Sequence, residues 1–260
     1  MPHFAALIAY DGTEYYGFQR QIESQPTIQS TIEDVLSQLA RQPVTLLGSG
    51  RTDSGVHAIG QVISFTLEWQ HGSEVLQRAL NANLPEDIAI LQLKQVPSAF
   101  HPRYDAQRRA YEYYIHDGPV RLPLKRRFSW HVHKKLDEQS MNLAAQALVG
   151  SHNFATFGQP PQGNNFVREV YVANWTRSAE MLTFRIEANA FLYRMVRSIV
   201  GSLKLVGEGT WTIEEFVKAF NAQNRDACGT VAPSQGLHLV SITYENLNWS
   251  TETTKLLESV

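Results

Sequence analysis

Residues Gly48 to Phe65 read GSGRTDSGVHAIGQVISF. A polar turn, Arg51-Thr52-Asp53-Ser54-Gly55, runs directly into a segment where Val62, Ser64 and Thr66 alternate with Ile63, Phe65 and Leu67. That period of two is expected of a half-buried β-strand and predicts one over Gln61–Leu67. The stretch therefore sets an arginine, an aspartate and two hydroxyls at the edge of a core.

Outward from it, further strands are predicted at Phe4–Tyr10, Val44–Leu47, Ile88–Val96, Ala110–His116, Val167–Arg177, Leu182–Ala188 and Leu237–Asn246. Helices alternate with them. From Thr27, the residues Ile28, Ile32, Val35, Leu36 and Leu39 share one helical face, and Pro26-Thr27 supplies a start signal. A second helix is expected from Glu74 until Pro85 stops it. Asp137 can cap a third, carrying Met141, Ala144, Ala145 and Leu148 and ended by Gly150. Thr212-x-x-Glu215 is a capping box before Phe216, Val217 and Phe220. A longer helix is predicted across Ala190–Leu205, with Leu192, Met195, Val196, Ile199 and Leu203 turned inward. Strands and helices mixed in both halves point to an α+β fold with largely antiparallel sheets. LIAYDG followed by a helix near residue 27 also rhymes with YEYYIHDG followed by a helix near residue 137. A weak duplication follows, dividing the chain into an N-terminal half, 1–105, and a C-terminal half, 106–260.

The 260 residues, 43% of them apolar, suffice for a sizeable core and argue against disorder. No apolar run approaches the ~18 residues of a membrane span, and MPHFAALIAYDG lacks the basic n-region of a signal peptide. One cysteine, Cys228, excludes an intramolecular disulfide framework and a cysteine-rich metal site, so a cytoplasmic location is expected. His131-x-His133 is the one close histidine pair, with no nearby carboxylate or cysteine to complete a ligand set; no metal is expected. Net charge is −2, but Arg103–Lys135 holds nine Lys/Arg against three acids, +6 for the segment and −8 for the remainder. Tyr104, Tyr111, Tyr113, Tyr114, Phe128 and Trp130 are interleaved there. Cations neutralise phosphates and aromatic faces stack on bases, so the mixture suits nucleic acid, and Arg121, Lys125, Arg126 and Arg127 are candidate RNA contacts. A solvated charged loop has the same composition.

Four readings compete for the turn. A phosphate cradle needs spacings that Gly48, Gly50 and Gly55 do not have. An aspartic protease matches Asp53-Ser54-Gly55, yet needs a second such triplet, and Arg51 would hold the aspartate ionised. A lone anionic aspartate can act as nucleophile, base or stabiliser of positive charge at a sugar carbon. A purely structural Asx-turn before Gly55 is the fourth. His57, beside the turn, reads as structural or RNA-adjacent.

Residues beyond the turn discriminate. GSGRTDSGVHAIGQVISF resembles the signature of the TruA family of tRNA pseudouridine synthases. Five more blocks follow the family order: AYDGTEYYGFQRQ (Ala9–Gln21), AQRRAYEYYI (Ala106–Ile115) with its Arg-x-Tyr-x-Tyr strand, GSHNFATF (Gly150–Phe157), EANAFLYRMVRSIVGSL (Glu187–Leu203) and APSQGLHLVSITY (Ala232–Tyr244). Phe18, Ser54 and Asn153 stand where the family commonly has tryptophan, alanine and aspartate. The resemblance implies isomerisation of uridine to pseudouridine at positions 38, 39 and 40 of the tRNA anticodon stem-loop, without a cofactor. It implies that Asp53 is the catalytic nucleophile, that Tyr111 packs on the target base, that Arg197 pairs with the aspartate, and that Arg51 helps hold the uridine out of the stack. It implies two related halves whose antiparallel sheets join into one extended mixed sheet flanked by helices. A homodimer, with tRNA lying across both subunits, completes the expectation. The bond from C1′ to N1 must break and re-form to C5, which requires extruding the base at a cost of a few kcal/mol. Stacking on a tyrosine, worth roughly 1–3 kcal/mol, offsets part of that. Direct attack of Asp53 at C1′ and removal of the C2′ proton are both open, as is the base that takes the C5 proton, Tyr111 or water.

Overall fold

The computed structural model describes residues 1–21 and 25–249. In chain order the elements are β1 (His3–Tyr10), α1 (Ile28–Ala40), β2 (Leu46–Gly48), β3 (His57–Thr66), α2 (Ser73–Asn83), β4 (Ile88–Val96), β5 (Ala106–His116), β6 (Trp130–His131), α3 (Glu138–Ala145), β7 (Gly150–Asn153), β8 (Val167–Ser178), β9 (Met181–Ala188), α4 (Met195–Gly207), α5 (Ile213–Asn221) and β10 (Leu237–Tyr244). The described residues form two compact units, one of Met1–Gln107 with Leu239 to Trp249, the other of Arg108–His238. Each is α+β.

In the first unit the strand order is β4-β1-β3-β10, with β2 also paired to β3. β1 runs antiparallel to both β3 and β4. Phe4, Ala5, Ala6, Leu7 and Ile8 are all buried, so this strand is covered on both faces and reads as a continuous apolar run, unlike the alternation of a half-exposed strand. α1 begins where Thr27 accepts from the Ser30 amide while the Ser30 hydroxyl accepts from the Thr27 amide, a reciprocal cap. Ile28, Ile32, Val35 and Leu36 are buried as the spacing predicts, and Leu39 is half-buried. Each such side chain contributes roughly 1.5–3 kcal/mol on burial. α2 packs Leu76 and Leu80 inward beside β4.

In the second unit the order is β5-β9-β8-β7, antiparallel throughout, and β6 lies parallel to β5. β9 alternates strictly between half-buried and buried residues, the period-two pattern of a sheet with one covered face. α3 covers part of β8. Asn142 binds the backbone of Trp175 in both directions, accepting at 2.7 Å and donating at 3.0 Å. The two-residue strand β6 and the short turns here carry no periodic signal and are not among the predicted elements.

One expectation is corrected. The helix predicted over Ala190–Leu205 begins only at Met195. Asn189 to Arg194 leave β9 as irregular chain, where Tyr193 N–H donates to the Gln159 carbonyl at 2.8 Å and Arg194 takes a left-handed φ of 61°. Leu192 is buried in either conformation, so apolar spacing could not separate the two. Arg194 and Arg197 therefore do not share a helical face. Arg194 precedes the helix and Arg197 occupies its first turn.

Candidate active site

In the first unit, the polar turn is held from beneath. Ser49 and Gln61 are buried; the Ser49 hydroxyl donates to Gln61 Oε1, and Gln61 Nε2 donates to the Gly50 carbonyl at 3.0 Å. Along the next three residues exposure alternates. Arg51 is exposed, Thr52 is buried with its hydroxyl 2.8 Å from the Tyr10 hydroxyl, and Asp53 is half-buried. A side chain anchored inward at Thr52 turns its two neighbours outward, which brings Arg51 and Asp53 to one side of the segment. The Val56 N–H then donates to the Asp53 carbonyl at 3.1 Å, closing a turn with Gly55 at φ 74° in its third position, where an L side chain would be strained.

The opening block of the chain packs on this turn. Phe18 N–H donates to the Thr52 carbonyl at 3.1 Å, and the Ser54 hydroxyl donates to the Tyr15 carbonyl at 3.1 Å. Gly17, at φ 92°, lies so close that a Cβ there would stand 2.8 Å from the Thr52 carbonyl oxygen; one on Gly12 would stand 2.0 Å from that of Val56. AYDGTEYYGFQRQ and RTDSG are thus one packed unit, and the two glycines are requirements of close approach. His57 is buried, its Nδ1 accepting from the Gly12 amide at 3.1 Å, and serves the packing of this turn.

In the second unit, Tyr111 lies half-buried on β5, paired with Ile186, its ring edge-on to Phe191 at 5.0 Å. Tyr113, two residues on and so on the same face, is fully buried and donates to the Pro233 carbonyl at 2.8 Å. Burial pushes its phenol well above the usual range, against the opposing pull of the Arg197 charge. Arg197 donates through Nε to the Ala232 carbonyl at 2.8 Å, and the Ala232 amide donates back to the Arg197 carbonyl at 3.0 Å. Tyr113 and Arg197 are therefore fastened to adjacent carbonyls of the Ala232-Pro233 strap, with Tyr111 beside them on β5. Tyr113 and the strap were missed as parts of this constellation, although both lie in the quoted blocks.

Arg121, Lys125, Arg126 and Arg127 are all exposed, on a loop with one short 3-10 turn, Pro123–Lys125. Arg126 Nη1 donates to the Pro123 carbonyl at 3.1 Å. Among the described residues, no group of three or more His, Cys, Asp or Glu could hold a metal ion, and no helix is long and apolar enough to cross a membrane.

A family model described as tRNA pseudouridine synthase matches residues 6–105 and 144–245. A protein of Sinorhizobium fredii named tRNA pseudouridine synthase A is 43% identical, the match covering 94% of this chain and 100% of that one. One of that name in Rhizobium meliloti is 42% identical over the same shares, and one in Parvibaculum lavamentivorans 39%. Among solved structures, a Cbf5-Nop10-Gar1 complex aligns with a TM-score of 0.33 at 12% identity, covering 78% of this chain and 54% of that one, too distant to support any conclusion.

Proposed function

This chain belongs to the tRNA pseudouridine synthase family and is an isomerase, and we propose that it converts uridine to pseudouridine at positions 38, 39 and 40 of the tRNA anticodon stem-loop. Asp53 is the proposed nucleophile, Tyr111 the surface on which the target base packs, Arg197 the cation that keeps the carboxylate ionised, and Arg51 the contact that holds the nucleotide out of its stack. The observation that carries the assignment is the presentation of Asp53. Asp53 is a half-buried residue on a turn whose adjacent residue, Thr52, is buried and hydrogen-bonded. A nucleophile needs that combination, reachable by substrate yet held near its reactive geometry before substrate arrives.

In the reaction the glycosidic pair of electrons leaves with N1 of the base. The base turns over, C5 takes the bond to C1′, and the C5 proton is lost as N1 gains one. Asp53 begins this either by bonding to C1′, that ester bond breaking as C5 bonds to C1′, or by taking the C2′ proton, which returns to C2′ as C5 bonds. In both routes a carboxylate, not a carboxylic acid, must act. The Val56 amide donating to the Asp53 carbonyl closes the turn through the backbone, a bond that any residue at position 53 can accept. A homodimer in the cytoplasm is part of the proposal; light scattering at twice the chain mass checks the dimer.

The test supplies purified protein with an unmodified tRNA transcript and maps carbodiimide-dependent primer-extension stops. Stops are expected within the anticodon arm for the parent. Asp53→Asn should give none while still binding tRNA. Undiminished stops with Asp53→Asn, or stops confined to another arm, would falsify the assignment.

A further inference from the structure

Between buried Leu192 and buried Met195 the chain turns two residues outward, Tyr193 and Arg194. Tyr193 is 52% exposed, and the Arg194 guanidinium carbon lies 5.0 Å from the centre of its ring. The pair is rigidly mounted. Tyr193 N–H is bonded to Gln159, and Gly158 packs so closely beneath that a Cβ there would lie 2.6 Å from Leu192 Cβ and 2.8 Å from the Tyr193 carbonyl oxygen. Arg194 adopts φ 61°, a conformation that glycine or asparagine would hold with less strain.

Arg103 also lies 5.9 Å from the Tyr104 ring centre, and a third arginine–tyrosine pair differs in its surroundings. Arg108 stands 4.3 Å from the Tyr171 ring centre, but Glu187 pairs with that arginine at 3.3 Å and Glu169 accepts from that tyrosine at 3.2 Å. Among the described residues no acidic group pairs with the Arg194 guanidinium. An exposed ring beside a planar cation offers a stacking surface and a phosphate contact in one place.

We propose that Tyr193 and Arg194 form a binding platform for an unpaired nucleotide of the RNA substrate, the base stacking on the pair and the neighbouring phosphate meeting the guanidinium. The inference rests on the tRNA-modifying role proposed above and adds a second place at which the second unit holds the RNA. Single-stranded loop nucleotides are the fitting class, because a paired base keeps its faces covered by its own stack.

The test measures affinity in the Asp53→Asn background, so that no turnover occurs and the outcome is independent of whether Asp53 is the nucleophile. The probes are an unmodified tRNA transcript and a blunt RNA duplex. Tyr193→Ala should weaken transcript binding about tenfold, and Tyr193→Phe should retain most of it, as expected of stacking. Arg194→Gly relieves the left-handed strain, so its Tm should hold or rise while transcript affinity falls and the log–log salt slope shrinks by about 0.7. Duplex binding should be untouched by either change. Parent-like transcript affinity in Tyr193→Ala and Arg194→Gly, or equal losses on the duplex, overturns the proposal.

Discussion

Two polar turns of this molecule are built on opposite plans. The Arg51–Val56 turn has its buried support directly under its tip: Thr52, Ser49 and Gln61 are buried and hydrogen-bonded, and the opening block of the chain presses on it. The basic loop after β5 has its support only at the root. There Asp117 is fully buried, bonded to Arg177 at 2.8 Å and to the Leu136 amide at 3.0 Å, with Lys135 at 3.4 Å. Its tip, Val120 to Arg127, is exposed, and Leu124 is 90% exposed. The contrast follows from chemistry. A reacting carboxylate must sit within about half an ångström of its target geometry, whereas phosphate attraction acts over about 8 Å in physiological salt and tolerates a loose tether.

Substitutions can break the contrast at each level of support. Asp117→Ala should be the costliest, about 3 kcal/mol, because it strips both the Leu136 amide and the half-buried Arg177 of a fully buried acceptor, leaving Arg177 to Glu138 and the Leu136 carbonyl; chemical denaturation reads it. Burial raises the Asp117 carboxyl, but hydrogen bonds from Arg177 and the Leu136 amide and the nearby charges of Arg177 and Lys135 outweigh it, so the carboxyl is held below its ordinary value. Its stabilisation is therefore complete above that ordinary value and lost as pH falls through the depressed one. The parent's Tm should drop more steeply below about pH 4 than that of Asp117→Asn. An equal slope would assign acid sensitivity elsewhere.

Gly17→Ala comes next, at about 2–3 kcal/mol, since φ 92° and the close Thr52 carbonyl both oppose a Cβ. Pseudouridine formation should fall further than stability explains, because the turn that carries Asp53 must shift. Thr52→Val leaves the Tyr10 hydroxyl buried without that partner and should cost about 1–2 kcal/mol, with kcat lowered and tRNA affinity kept. Smallest in stability is neutralising Arg121, Lys125, Arg126 and Arg127 together, under about 0.5 kcal/mol. If these four touch phosphate, the salt slope of tRNA binding should flatten by up to about 3 while kcat at saturating tRNA persists. A fall in Tm comparable to that of Gly17→Ala would erase the distinction between the two turns.

Local patterns made much of the molecule legible. The caps at Thr27, Asp137 and Thr212 all form as their sequences predict, because each bond closes within three residues. α1 stands where its period placed it; β3 forms over the expected segment but starts earlier, at His57, and is buried without alternation from Gln61 to Phe65, so it is covered on both faces and not half-buried as the period of two implied. Asp53, Tyr111 and Arg197 were singled out by motif. Their settings were not: nothing in the periodicity announced that Thr52 is the buried anchor, that Tyr113 and Arg197 share the Ala232-Pro233 strap, or that Arg194 breaks the helical pattern.

Sequence alone thus determined the segments whose bonds are local, and the polar turn whose residue types carry the chemistry. Tertiary structure decided where distant segments meet: the chain from Leu239 joining the first unit through β10 beside β3, Gly17 against Thr52, and the strap against α4. Those contacts join residues 35 to nearly 200 positions apart. They are selected by which packing fills space and satisfies buried polar groups, a choice no window of neighbouring residues contains.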